Sequence, residues 1–367
     1  MRSWMFAAAA AVAALAQPAR AEFKLGWAGP VTGGSAAVGV QNRNGVQQAV
    51  DDINAAGGIF GEKIAVHFED DAGDPKQAVS VANRLMTDGI KFVIGHQNSG
   101  ASIPASEVYN DAGALQITPA STNPKFTDRS LWNTFRTCGR DDQQGTVAGN
   151  YLLKHYTRKK VFIVHDKTPY GRGLADEVKK AINKDGLREV AFEGINVGEK
   201  DYSALASKIK GYGADVVYFG GVFTEGGLIL RQMRDQGIQV PMIGGDAMYA
   251  SEFASIAGPV GEGTLITFSP DARKNAAAAP VVARFKAKGI DPEGFTLYAY
   301  AAVQVVAGAI KAAGNADPKS VADKIHSGMT FDTVIGPLAY DKKGDITRLD
   351  FVFYRVENGR FQELPLQ

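Results

Sequence analysis

The sequence predicts an α/β fold in two similar lobes, each a parallel sheet flanked by helices. Three observations carry this. Short apolar segments alternate with stretches of helical periodicity along most of the chain, the pattern of repeated β-α units. Some of those segments, such as Phe92-Val93-Ile94, are apolar throughout, as strands buried on both faces require. The chain has 367 residues, more than one hydrophobic core usually grows to, and a second β-α series starts near Asp141.

The first 21 residues stand apart from this pattern. Arg2 gives a positive start, residues 4–16 are apolar, and Ala19-Arg20-Ala21 is a small-x-small cleavage site, so the mature chain is expected to begin at Glu22. This is the layout of a secretory signal peptide. The apolar run falls short of the roughly 20 residues a membrane span needs.

The elements follow in order. Residues 24–28 form a short apolar strand, followed by the loop Gly29-Pro30-Val31-Thr32-Gly33-Gly34-Ser35. A helix over about 41–54 has Val46, Ala49, Val50 and Ile53 at helical spacing, and Gly57-Gly58 ends it. Ile64, Val66 and Phe68 alternate as a strand. Asp74-Pro75-Lys76-Gln77 supplies an N-cap, a proline at the first helical position and a capping-box partner for a helix with Ala78, Val81, Ala82 and Leu85 on its apolar stripe. Strand 92–94, helix 103–112, strand 114–118 and an extended 132–137 complete the first series. The second has helices near 141–155, 172–184, 203–211, 225–236 and 250–257, and strands near 161–164, 189–193, 215–219, 240–243 and 264–268. Helices near 279–288, 296–312 and 317–326 and strands near 337–340 and 350–356 close the chain.

In such sheets ligands bind beyond the carboxyl ends of the strands. The turns to inspect are therefore 29–35, 95–102, 118–122, 166–171, 220–225 and 244–246. Hydroxyls and backbone N–H groups in Ser/Thr turns beside a helix N-terminus can hold a carboxylate. Ser99, before a helix, and Thr118-Pro119-Ala120-Ser121-Thr122, after a strand, suit that use; ordinary capping and turn chemistry is the competing use. Asp246, after Gly244-Gly245, is either a helix cap or an anion for a ligand cation. Tyr170 either covers an apolar ligand face or packs within its loop. Arg136 and Arg140, flanking Cys138 and followed by Asp141-Asp142, are expected to form a structural ion-pair and capping region where the chain changes lobe.

Composition narrows the chemistry. Lys+Arg 40 nearly balances Asp+Glu 39 and no basic stripe appears, which argues against a nucleic-acid partner. Cys138 is alone, so no internal disulfide forms, and it is expected to be a buried structural thiol. The histidines, His67, His96, His155, His165 and His326, are scattered without metal-ligand spacing. The glycine loop lacks both G-x-G-x-x-G and the P-loop lysine, Ser99 is not in G-x-S-x-G, and no cofactor is called for. An exported α/β chain without a catalytic cluster points to ligand capture, not to an enzyme.

Several segments taken together carry a resemblance. They are Gly57-Gly58-Ile59, the run from Asp70-Asp71-Ala72 to Gln77-Ala78, Val93-Ile94-Gly95-His96, Ile117-Thr118-Pro119-Ala120, His165-Asp166-Lys167 with Tyr170-Gly171, and Gly336-Pro337-Leu338. Over nearly the whole mature chain the sequence resembles the leucine/isoleucine/valine-binding proteins, the type I periplasmic binding proteins of ABC transporters. The resemblance implies two Rossmann-like lobes joined by three crossovers, here 22–140 plus 270–348 and 141–269 plus 349–367. It implies a periplasmic monomer that traps an α-amino acid, branched-chain or another small aliphatic, by hinge closure and delivers it to a membrane permease. By position, it assigns the ligand carboxylate to Ser99, contacts to Ala120, Ser121 and Thr122, the ammonium to Asp246, and lining roles to Tyr170 and Phe295. Departures accompany it. Val38 and Val222 stand where the branched-chain binders have pocket tyrosines, Gln97 stands at an apolar pocket position, and Gly73 and Asn98 stand where the family has a small disulfide. The pocket is thus altered and partly more polar, which leaves open a small aliphatic or non-α amino acid, a bare carboxylate or an amide as ligand, or a sensing partner of a membrane receptor as the role.

Overall fold

The computed structural model describes residues 22–348 and 351–365; the expected signal peptide lies outside them. The first series comprises β1 (Phe23–Gly29), α1 (Ala36–Ala55), β2 (Ile64–Asp70), α2 (Pro75–Thr87), β3 (Phe92–Gly95), α3 (Ser99–Asp111), β4 (Leu115–Thr118), α4 (Lys125–Asp128) and β5 (Thr134–Arg136). The second comprises α5 (Asp141–Tyr156), β6 (Val161–His165), α6 (Pro169–Lys184), β7 (Glu189–Gly194), α7 (Ser203–Tyr212), β8 (Val216–Gly220), α8 (Phe223–Asp235), β9 (Met242–Gly244), α9 (Ser251–Ala257) and β10 (Leu265–Phe268). Helices α10 (Ala279–Ala287), α11 (Thr296–Ala313) and α12 (Pro318–His326) follow, then β11 (Val352–Glu357) and β12 (Arg360–Glu363).

Two sheets result. One has the order β2-β1-β3-β4-β5 and is parallel throughout. The other has the order β12-β11-β10-β9-β8-β6-β7. Its strands β7, β6, β8, β9 and β10 repeat the order of the first sheet, and both therefore carry a topological switch point, β1/β3 in one and β6/β8 in the other. The chain passes from the first sheet to the second after β5, returns after β10 and crosses again before β11.

Local chemistry explains the elements. Asp74 caps α2 by accepting from the N–H groups of Lys76 (2.9 Å) and Gln77 (2.8 Å), with Pro75 at the first helical position. The expected return bond from Gln77 goes elsewhere: its Nε2 donates to the Asp70 carbonyl at 2.8 Å and ties α2 to the end of β2. Helix α11 is buried on nearly every face, and it packs against α1 where Gly45 leaves no room for a side chain; a Cβ there would lie 2.0 Å from the Thr296 carbonyl. Length and composition would let α11 cross a membrane, but it is the central helix of a core.

Three expectations change. The strand expected near 337–340 is instead a pair of isolated bridges, Phe331 with Leu338 and Tyr340 with Ile346; Pro337 has no N–H to extend a ladder. The second sheet is not wholly parallel, because β11 and β12 join β10 as an antiparallel edge. The extended stretch expected over 132–137 narrows to the three residues of β5.

Candidate functional site

A small cavity of about 30 Å³ lies between the carboxyl ends of the two sheets. Its lining comes from the turns after six strands. Ser35 follows β1, Gln97 and Asn98 follow β3, and Ala120 follows β4. Tyr170 follows β6, Val222 and Phe223 follow β8, and Asp246 follows β9. Val38 on α1 and Phe295 before α11 also line it.

On the first lobe the cavity meets the start of α3. No side chain caps this helix; the Ala101 N–H bonds the Asn98 carbonyl at 2.9 Å, and the positive end led by Ser99 and Gly100 is left without a side-chain cap. The Ser99 hydroxyl accepts from the Asn123 N–H at 3.2 Å, which leaves its own proton to donate. The turn beneath is built on buried bonds. The Thr118 hydroxyl donates to the His96 carbonyl at 2.6 Å and the Ser121 hydroxyl to the Gln97 carbonyl at 2.8 Å. His96 is itself fixed between Asp71 (2.6 Å) and Tyr109 (2.9 Å). Arg136, fully buried, donates to the carbonyls of Ser121 (2.6 Å) and Asn123 (3.1 Å) and pairs with Asp345 at 2.7 Å. Arg140 reaches the other Asp345 oxygen at 2.7 Å, so the arginines near Cys138 form the structural ion-pair region the sequence suggested. Cys138 is buried, and burial pushes its thiol far above the usual range.

On the second lobe Asp246 is only 2% exposed. The Tyr170 hydroxyl donates to its Oδ1 at 2.7 Å and accepts from the Ala247 N–H at 3.1 Å. Burial raises the Asp246 carboxyl to about 6, against the lowering effect of Tyr170 and Gln144. Asp141, completely buried, is also raised, first by burial and then by the charge of Asp246; neither of its oxygens has a hydrogen-bond partner of good geometry. Arg136, a buried cation whose charge reaches Asp141, is already paired with Asp345. This side of the cavity is therefore electronegative and calls for a cation.

The structure brings Ser99, Ala120, Tyr170, Asp246 and Phe295 to the cavity wall. It does not bring two of the expected residues there. Ser121 turns its hydroxyl onto Ser102 (2.7 Å) and the Gln97 carbonyl, because the turn needs that bond to hold its shape. Thr122 is buried beneath the wall and faces Asp141. The altered positions Val38, Gln97 and Val222 do line the cavity. Gly73 and Asn98, at the place of a family disulfide, are adjacent: a Cβ on Gly73 would lie 3.2 Å from the Asn98 amide oxygen. Ser35, Phe223 and Ala247 also line the wall, and their positions directly after strand ends were the available signal. Among the described residues no group of His, Cys, Asp and Glu could hold a metal ion.

The family model for periplasmic binding proteins matches residues 22–360. The chain is 53% identical over 361 residues to Leu/Ile/Val-binding protein homolog 1 of Brucella melitensis, covering 98% of this chain and 97% of that one. It is 47% identical over 362 residues to an amino acid binding protein of Pseudomonas aeruginosa, covering 98% and 96%. Among solved structures, the leucine binding protein LivK of Thermotoga maritima superposes with a TM-score of 0.87 at 26% identity, over 93% of this chain and 97% of that one. The branched-chain amino acid transporter substrate binding protein LivJ of Streptococcus pneumoniae, in complex with isoleucine, superposes with a TM-score of 0.84 at 28% identity, over 94% and 100%.

Proposed function

The chain belongs to the periplasmic binding protein family, and from that premise we propose that it captures an amino acid between its lobes for an ABC-type transporter. The observation that carries this reading is the opposed polarity of the cavity. An uncapped helix N-terminus and the Ser99 hydroxyl stand on one lobe, and the buried carboxylate of Asp246 stands on the other. A zwitterion matches both at once. Its carboxylate meets α3, Ser99 and the turn at Ala120, with Thr122 and Ser121 holding that turn. Its ammonium meets Asp246, whose orientation Tyr170 fixes. Phe295 and Val38 cover the side chain.

In this reading residues 22–140 plus 270–348 form the first lobe and 141–269 plus 349–367 the second. The protein is exported by its cleaved leader, works in the periplasm as a monomer, hands its ligand to a membrane permease, and catalyses no reaction. Capture works because a ligand touching both lobes stabilises the closed arrangement selectively.

A thermal-shift screen tests it, with all amino acids, 4-aminobutyrate, aromatic acids and short amides. Stabilisation by amino acids, with none by acids or amides lacking an amino group, is the expected result. Stabilisation by bare acids alone would remove the role given to Asp246.

A further inference from the structure

We propose that the ligand's side chain carries a neutral hydrogen-bonding group, which Gln97 recognises. This inference rests on the amino-acid reading above and concerns the same cavity.

The geometry begins at α1. Asn42 lies one helical turn beyond Val38, and its Nδ2 donates to Gln97 Oε1 at 3.2 Å inside the protein. This bond holds the Gln97 side chain against α1, the helix from which Val38 also lines the cavity. Gln97 is 9% exposed and lines the cavity. Its Nε2 has no partner among the described residues. Turning both amides over would let Nε2 donate to Asn42 Oδ1, which has no partner now, and would turn Gln97 Oε1 to the cavity instead. In either orientation one strong hydrogen-bonding atom faces the ligand.

A second donor stands nearby. The Ser35 hydroxyl accepts from Asn98 Nδ2 at 3.2 Å, which leaves its proton free at the cavity wall. An aliphatic ligand side chain would leave these groups dehydrated and unpaired, which is costly. A hydroxyl both donates and accepts, so it satisfies Gln97 in either orientation. Asp246 is the one charged residue on the described lining, and it serves the ammonium; a charged side chain beside Gln97 would have no counter-ion.

The test is isothermal titration of the protein with L-threonine and L-valine, which share a shape and differ by hydroxyl for methyl. Threonine is expected to bind at least about tenfold more tightly. In Gln97→Leu the order should reverse, with valine gaining affinity. Equal or tighter binding of valine by the unaltered protein would overturn the inference while leaving amino-acid capture intact. A threonine preference that survives in Gln97→Leu would overturn the role of Gln97. Binding of neither amino acid, nor of L-asparagine or L-leucine, would overturn this inference and the capture reading together.

Discussion

Asp246 is a carboxylate held out of water with a tyrosine as its hydrogen-bond donor and no cation beside it. Replacing it by asparagine keeps the shape and removes the charge. We expect amino-acid affinity to fall on the order of 100-fold in Asp246→Asn, read by titration calorimetry, with the melting temperature unchanged or raised because a buried charge has gone. The same residue sets a pH dependence. Its carboxyl titrates near 6 in the folded protein against 3.8 for a free side chain. The folded state thus holds this proton more tightly than the unfolded chain. Its contribution to stability is present below about pH 4 and is lost as the pH rises to about 6. In the proposed capture, ligand binding runs the other way, because an ammonium paired with Asp246 needs the ionised form. Affinity should fall about tenfold per pH unit below about 6, and a flat titration profile from pH 4.5 to 7.5 would exclude Asp246 as the ammonium's partner. Residues of this kind were legible because they sit directly after strand ends. The direction of the Ser121 hydroxyl was not legible: a hydroxyl in a tight turn bonds inward when the turn has unpaired carbonyls, and sequence does not reveal which carbonyls those are.

The elements were legible where side-chain periodicity and capping chemistry agree. Helix α2 has both, and Asp74 accepts two of its leading N–H groups. Asp74→Ala should destabilise the protein by about 1 kcal/mol, measured by urea unfolding, with ligand affinity unchanged because the cap does not line the cavity. The turn between β9 and Asp246 is a different case. Gly245 packs so closely that a Cβ would lie 2.6 Å from the Tyr170 hydroxyl and 2.4 Å from Leu174. Gly245→Ala should therefore push Tyr170 off Asp246 and weaken binding more than it weakens the fold. Equal affinity for the variant and the unaltered protein would show that Tyr170 does not orient the carboxylate. The elements that escaped reading are short and polar or lie at an edge. Strand β12 has the sequence Arg360-Phe361-Gln362-Glu363, with no apolar pattern beyond Phe361, and it exists because β11 offers an unpaired edge. The segment near 337–340 has strand-like composition, but Gly336 and Pro337 break the ladder.

At the scale of the molecule, the two lobes repeat one strand order, and the alternation that produces it was visible in the sequence. The antiparallel edge was not, because its pairing joins residues about 90 positions apart and leaves no local mark. The repeat places two switch points face to face, with the cavity between them. Direct ties join the lobes at the crossovers, where Lys274 pairs with Glu363 at 2.7 Å and the Asp141 N–H donates to the Thr122 carbonyl at 2.9 Å, and at three further points. Thr224 donates to the Gly34 carbonyl at 3.0 Å, Asn123 to the Pro169 carbonyl at 2.6 Å, and Ser251 to the Glu293 carboxylate at 2.7 Å. Such ties exchange readily with water, so each stabilises closure by only about 1 kcal/mol. A ligand that meets α3 on one lobe and Asp246 on the other adds charged contacts present only when the lobes meet. Closure should therefore depend on the ligand, with a smaller radius of gyration in small-angle scattering at saturation. At a hundred times the dissociation constant, binding should raise stability by about 2.7 kcal/mol. Asp246→Asn separates the two effects, because it keeps the contacts to α3 but loses the bridge. At ligand concentrations that saturate it, the variant should bind without the full contraction. Full contraction in that variant would mean that the direct contacts between the lobes, not the bridging ammonium, hold them together.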